Sequence, residues 1–173
     1  MRLYFVRHTK VGVQSGICYG QSDVRLSNDF KSDFKLVSSR VKNIPESVYS
    51  SPLNRCVKLA NYLANDPICD SRLMELNFGE WEMKKWADLN DDVAKEWMDD
   101  YIHRSCPGGE SFLELIMRLD SFLNELQTQE DVLIITHGGI IRAAYHLLNK
   151  VPLNKLFDIE VEFGSLHEFE LMD

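Results

Sequence analysis

The sequence lacks the features that mark several large protein classes. It has four cysteines, Cys18, Cys56, Cys69 and Cys106, and no two of them form a CxxC pair. Spacing therefore gives no support to a zinc site. Four thiols spread over 173 residues do not make a disulfide framework, so a reduced, cytoplasmic protein is expected. No apolar run approaches the roughly 20 residues that cross a bilayer, and "LYFV" near the start is too short for a signal peptide. Lys and Arg number 19 against 27 Asp and Glu, a net charge of -8, and they form no basic cluster. Neither nucleic acid nor a membrane is expected as a partner. Also missing are GxxxxGK[ST], GxGxxG after a strand, HExxH and GxSxG. Their absence removes the commonest phosphate-loop, dinucleotide, zinc-protease and serine-hydrolase readings.

What is present is an ordinary globular composition, 45% apolar and 27% charged, in a chain long enough for one domain over residues 1–173. Short apolar runs predict strands at 3–6, 47–50 and 131–136, with a further short strand and loop within 67–76. Residues 30–43, 51–65, 112–126 and 138–149 carry helical periodicity. Ser51 is expected to cap the second helix, with Pro52 at its first position. Residues 82–106, charged and holding Trp86 and Trp97, suggest an irregular helical lid. The C-terminal "IEVEFGSLHEFEL" alternates enough for one or two strands around Gly164. Strands separated by helices give an α/β class: a three-layer α/β/α sandwich with a mostly parallel sheet and an antiparallel C-terminal strand.

The chemistry gathers where strands end. His8 follows "LYFVR" and His137 follows "VLIIT". Open α/β sheets bind ligands at the carboxyl ends of their strands, so the two histidines can face one crevice. Arg7 adjoins His8, and Arg55 in the first turn of its helix leans back towards the same ends. Glu75 closes the third strand or its loop. Gly138 and Gly139 open a helix whose N-terminus favours anions. Guanidinium forks match phosphate oxygens, and histidine is able to form covalent intermediates. The set suits phosphoryl transfer without a metal. Each piece alone also has a plain structural reading: a hydrogen-bonded histidine, a helix cap with a solvated arginine, a tight turn, a surface acid. Their joint occurrence at strand ends favours chemistry. His103, His146 and His167 fit no such constellation, and Trp81, Trp86 and Trp97 read first as packing.

"VRHT", "SSPLNRC", "RLMELNFGEWE", "PGGESF" and "THGG" occur in this order over nearly the whole chain. Together they resemble the histidine phosphatase superfamily, also called phosphoglycerate-mutase-like. The resemblance implies a phosphohistidine intermediate on His8, a phosphate pocket of Arg7, Arg55, His137 and Gly138, Glu75 as proton donor with Glu80 as fallback, and no cofactor. "GICYGQSDVRLS" is similar to a segment of the α-ribazole phosphatases within that superfamily, which act late in cobalamin assembly. The implied reaction is hydrolysis of α-ribazole 5′-phosphate. A phosphatase or mutase of sugar phosphates or another small phosphorylated metabolite is the alternative, and a non-catalytic phospho-ligand binder is a third reading. Two positions depart from the pattern: Thr9 stands where glycine is commoner, and Arg25 where proline is usual.

Overall fold

The computed structural model describes residues 1–126 and 130–171. In chain order its elements are β1 (Arg2–Arg7), α1 (Phe30–Arg40), β2 (Ser47–Ser50), α2 (Asn54–Leu63), β3 (Ile68–Cys69), α3 (Asp92–Asp99), α4 (Phe112–Asn124), β4 (Val132–Thr136), α5 (Gly138–Asn149) and β5 (Leu166–Glu170), with short 3-10 turns between them. The sheet order is β3-β2-β4-β1-β5, and every neighbouring pair is parallel except β1 with β5.

Strand periodicity sorts the core into two layers. Leu3 and Phe5 of β1 and Val132 and Ile134 of β4 face α4 and α5, where Leu115, Leu119, Phe122 and Ile140 cover them. Val6, Leu133 and Ile135 face the other way, against Phe34 and Val37 of α1 and Leu59 and Ala60 of α2. Both faces of the central strands are thus buried, which explains why "LYFV" and "VLIIT" are unbroken apolar runs. The three-layer α/β/α arrangement follows, with an antiparallel C-terminal strand. Ser111 caps α4 in a reciprocal box: its hydroxyl accepts from the Glu114 N–H while the Glu114 carboxylate accepts from the Ser111 N–H.

The chain departs from the sequence expectations at several points, each with a local cause. Helix α1 stops at Arg40, where Val41 takes the C-cap position and its N–H bonds back to Val37 O. Ser51 does not cap α2; Leu53 occupies the cap position, and the Ser51 hydroxyl is bonded to His137 instead. The segment after residue 82 does keep the irregular helical character expected of it, a 3-10 turn at Trp86–Asp88 followed by the short α3. Of the one or two C-terminal strands expected, one forms among the described residues. Residues 159–163 alternate like a strand but stay out of the sheet, because their carbonyls serve arginines: Ile159 O accepts from Arg142 Nη2 at 3.1 Å and Val161 O from Arg7 Nη1 at 2.5 Å.

Strands β1 and β4 are neighbours in the sheet, yet the chain leaves β1 towards α1 on one face and β4 towards α5 on the other. Such a switch opens a crevice at the strand ends. Arg7 pairs with Thr136 in the register, so His8 and His137 are the next residues on each side of that crevice.

Candidate active site

A cavity of about 220 Å³ lies at these strand ends. Arg7, His8, Arg55 and Glu75 line it together with Tyr19, Arg142 and an aromatic wall that includes Phe78, Trp86 and Phe157. A larger depression, about 410 Å³, lies beyond Phe163 and shares only Arg7 with the site. The smaller cavity is the one that meets the histidine and Glu75. His137 and Gly138 do not line it. His137 stands behind His8, the ring centroids 5.1 Å apart, and Gly138 begins α5. Glu80 is exposed and outside the wall, as is Arg25.

His8 is 2% exposed, and its Nδ1 lies 2.7 Å from the carbonyl oxygen of Thr9. A carbonyl can only accept, so Nδ1 carries the hydrogen and Nε2 keeps its lone pair. Burial first, then the Arg55 guanidinium, holds the ring well below its ordinary pKa of 6.5, and the imidazole is neutral at pH 7. Thr9 thus matters for its backbone oxygen. Its buried hydroxyl has no hydrogen bond among the described residues, and nothing in the structure explains the side chain.

His137 is fully buried. Its Nε2 sits 2.8 Å from the Ser51 hydroxyl and 3.5 Å from the Cys56 sulfur. Burial, the neighbouring His8 and then Arg55 keep it neutral as well. The Cys56 thiol is itself pushed up by burial and stays protonated. These partners explain why "SSPLNRC" carries more than a helix start: Ser51 and Cys56 grip one histidine while Arg55 between them enters the cavity.

Arg55 is 1% exposed. Its Nη2 donates to Gly20 O at 2.5 Å and its Nη1 to Ser22 O at 2.8 Å. Arg7 lies over Phe163, its Cζ 3.9 Å from the ring centroid. Burial lowers the pKa of Arg7, with Glu75 and Tyr19 opposing; an arginine remains charged at neutral pH all the same. Arg142, one turn into α5, points back towards the strand ends as helical side chains do. The bare α-carbon of Gly138 makes room for both: a Cβ there would lie 3.1 Å from Arg142 Nη1 and 3.6 Å from Arg7 Cζ. Among the described residues, none of these three guanidinium groups is ion-paired to a carboxylate. Three guanidinium groups around one small cavity, against the single carboxyl of Glu75 among its lining residues, make an anion site.

Glu75 is the one acid on the wall. Its Oε1 accepts from the N–H of Leu76 at 2.9 Å and of Gly139 at 3.1 Å, and its Oε2 shares the Gly139 N–H at 3.1 Å. The Gly139 amide, which the sequence offers to an incoming anion, is therefore already bound to Glu75. From α4, Arg118 fixes the backbone below by donating to Arg72 O and Glu75 O, and it is itself held by Glu110. The arrangement presents a neutral imidazole nitrogen, guanidinium groups and a carboxyl to one small anion. Arg142 and Tyr19 were not among the residues singled out from the sequence. The position of Arg142 four residues into the helix after "HGG" was the available signal; Tyr19 gave none.

The two buried, neutral histidines carry a pH consequence. In the unfolded chain both take up protons near pH 6.5, while in the folded chain they do so only at lower pH. The unfolded state then binds more protons, so stability present above pH 6.5 is lost as pH falls below it. The slope is about 1.4 kcal/mol per pH unit for each group. Thermal unfolding midpoints should fall between pH 6.5 and 5.5, before most carboxylates titrate. A level midpoint over that range would contradict the burial of neutral imidazoles.

Three comparisons bear on this site. The model of the histidine phosphatase superfamily (branch 1) matches residues 3–173. A Hydrogenobacter thermophilus protein named "Putative phosphoserine phosphatase 2" is 31% identical, over 98% of this chain and 89% of its own length. The adenosylcobalamin/alpha-ribazole phosphatase of Salmonella typhimurium is 28% identical over 100% of this chain and 92% of its own. The crystal structure of the alpha-ribazole phosphatase from Shigella flexneri superposes with a TM-score of 0.89, covering 99% of this chain and 91% of that one, at 23% identity. This last likeness is one of fold.

Proposed function

The chain belongs to the histidine phosphatase superfamily, and from that premise we propose that it is a phosphomonoesterase working through a phosphohistidine on His8, with α-ribazole 5′-phosphate as its substrate. Membership makes it a phosphatase or mutase of small phosphorylated substrates. The observation that carries the mechanism is the hydrogen bond from His8 Nδ1 to Thr9 O, which leaves a neutral Nε2 free to attack.

In this reading the phosphoryl group enters between Arg7 and Arg55. Nε2 of His8 forms the bond to phosphorus as the ester oxygen leaves on the opposite side. The guanidinium groups neutralise the charge spreading over the equatorial oxygens. His137, behind His8 and held by Ser51, does not reach the cavity and acts as the backing of the His8 ring. Glu75 gives its proton to the departing oxygen. Oε2 is the oxygen for that proton, since Oε1 already accepts two N–H groups and Oε2 only a shared one. The same carboxylate then takes a proton from water, whose oxygen attacks phosphorus and frees His8. Charge stabilisation rests on side chains of this chain, so activity should persist in EDTA.

The aromatic wall of Phe78, Trp86 and Phe157 supports a flat leaving group such as the base of α-ribazole. A second reading has its own observation. Arg142 is a guanidinium beyond the two that a phosphoryl group needs, and it would suit a leaving group that carries a carboxylate, the class to which phosphoserine and phosphoglycerate belong. The free thiols Cys18, Cys56, Cys69 and Cys106 support a reducing, cytoplasmic setting.

The test is a substrate panel run with ³²P-labelled esters and an alkaline quench, which preserves phosphohistidine. Label on the protein is expected, and turnover of α-ribazole 5′-phosphate should exceed that of phosphoserine and 3-phosphoglycerate. Absence of bound label under burst conditions would sink the covalent mechanism. Preference for the two acids would transfer the substrate assignment to the second reading.

A further inference from the structure

We infer that Glu82 is a positioning residue for Arg55, acting through the loop from Gly20 to Ser22, and that it sets how tightly the cavity grips an anion. The inference rests on the proposed role of Arg55 as a phosphoryl contact.

Glu82 is half-buried, does not line the cavity itself and makes no hydrogen bond to Arg55. Both of its oxygens are spent on backbone close to the site. Oε1 accepts from the N–H of Gln21 at 2.8 Å and of Phe78 at 3.2 Å. Oε2 accepts from the N–H of Ser22 at 2.5 Å and from the Ser22 hydroxyl. The carbonyls of the same loop point the other way, to Arg55: Gly20 O and Ser22 O take its two terminal nitrogens. One peptide unit joins the two sides directly. The carbonyl of Gly20 receives Arg55, and the N–H of Gln21, across the same planar bond, donates to Glu82. A carboxylate at one end of a peptide dipole and a guanidinium at the other polarise it in the same sense, so each bond strengthens the other.

Two further features show that this placement is enforced. The loop is pressed onto the segment from Leu76 to Glu82 so closely that a Cβ at Gly20 would lie 1.9 Å from Leu76 O. Next to Glu82, Met83 holds a left-handed backbone at φ 64°, unusual for a residue with a side chain, while its N–H bonds Cys18 O at 2.7 Å. Such strain persists only where the surroundings over-determine it, and it clusters at functional sites. From there the chain pairs back along residues 16–18, through Cys18 N to Lys84 O and Trp86 N to Gly16 O, and delivers Trp86 to the cavity wall. Glu82 is therefore the point at which the aromatic wall and the Arg55 grip become one unit.

Calorimetric titration of inorganic phosphate into wild type, Glu82→Gln, Arg55→Ala and the double variant tests this. Glu82→Gln keeps the size but loses the charge and one acceptor, and it should weaken phosphate about 10-fold in wild type and by less than about 2-fold once Arg55 is gone. Equal weakening in both backgrounds would mean general loosening of the fold and would overturn the inference, as would unchanged affinity in Glu82→Gln. Unchanged affinity in Arg55→Ala would instead overturn the assignment of Arg55 itself. Should Glu82→Gln fail to fold by circular dichroism, Ser22→Ala removes one bond to Oε2 and leaves the carboxylate. It should weaken phosphate about 3-fold, again only when Arg55 is present, and the same outcomes decide the matter.

Discussion

Alanine in place of His8 is expected to lower turnover by on the order of 10⁴-fold or more, the scale of losing a nucleophile, while phosphate still binds. The split follows from the division of labour in the cavity. Arg7 and Arg55 are held by their own partners, Val161 O and the carbonyls of Gly20 and Ser22, none of which involves His8. Removing the imidazole leaves the guanidinium groups aimed as before and vacates space for water. It also leaves Thr9 O without its donor, a loss of about 1–3 kcal/mol in stability, so circular dichroism must accompany the kinetics. The measurement is kcat on p-nitrophenyl phosphate beside the inhibition constant of inorganic phosphate. Turnover within about 10-fold of wild type would remove His8 as the nucleophile; the ³²P label should vanish with the activity. Loss of both turnover and phosphate affinity in a folded variant would make His8 a binding group only.

The second large effect is expected from a single methyl group. A Cβ at Gly139 would lie 2.2 Å from Glu75 Oε1 and 3.3 Å from a Leu115 methyl, with no free space on either side. Gly139→Ala must therefore expel the Glu75 carboxyl or shift the start of α5, and either change breaks the bonds from the Gly139 N–H. Helix propensity argues the other way, since Ala is favoured over Gly by about 1 kcal/mol within a helix. The variant should stay folded and yet lose the acid. Esters with poor leaving groups, such as alkyl phosphates, should slow by roughly 10²–10⁴-fold. p-Nitrophenyl phosphate, whose leaving group departs without a proton, should slow only a few-fold. Glu75→Gln should reproduce that pattern. Equal loss on both substrates would assign the proton to another group, and wild-type rates would show that the carboxyl tolerates displacement.

The elements that position the candidate site were legible because they sit where periodic signals end abruptly. "LYFV" and "VLIIT" are buried on both faces, so their apolar runs are unbroken and their ends unmistakable, and His8 and His137 follow at once. Arg55 was legible from the helix that begins beside it. Ser51 was misread because a serine ahead of Pro52 is a strong helix-start signal, and the competing partner, His137, lies 86 residues away in sequence. Glu75 was legible as an acid of the third strand or its loop and preferable to Glu80, and it lies in the loop, past the 3-10 turn Ser71–Leu73; its bond to Gly139 was not legible, since that pairing spans 64 residues.

By itself the sequence determined the α/β class, the alternation of strands and helices, the placement of Arg7, His8 and His137 at the ends of β1 and β4, and that of Arg55 in the first turn of α2. These follow from local periodicity and from the rule that open sheets bind at their carboxyl ends. Tertiary structure alone decided which ring nitrogen of His8 is free, that Arg142 and Tyr19 share the cavity, and that residues 159–163 hold two arginines instead of forming a strand. It also decided that Glu82 and Arg55 face one peptide from opposite sides. The physical reason is the same in each case. Hydrogen-bond partners distant in sequence compete for the same backbone groups, and only the packed chain shows which of them wins.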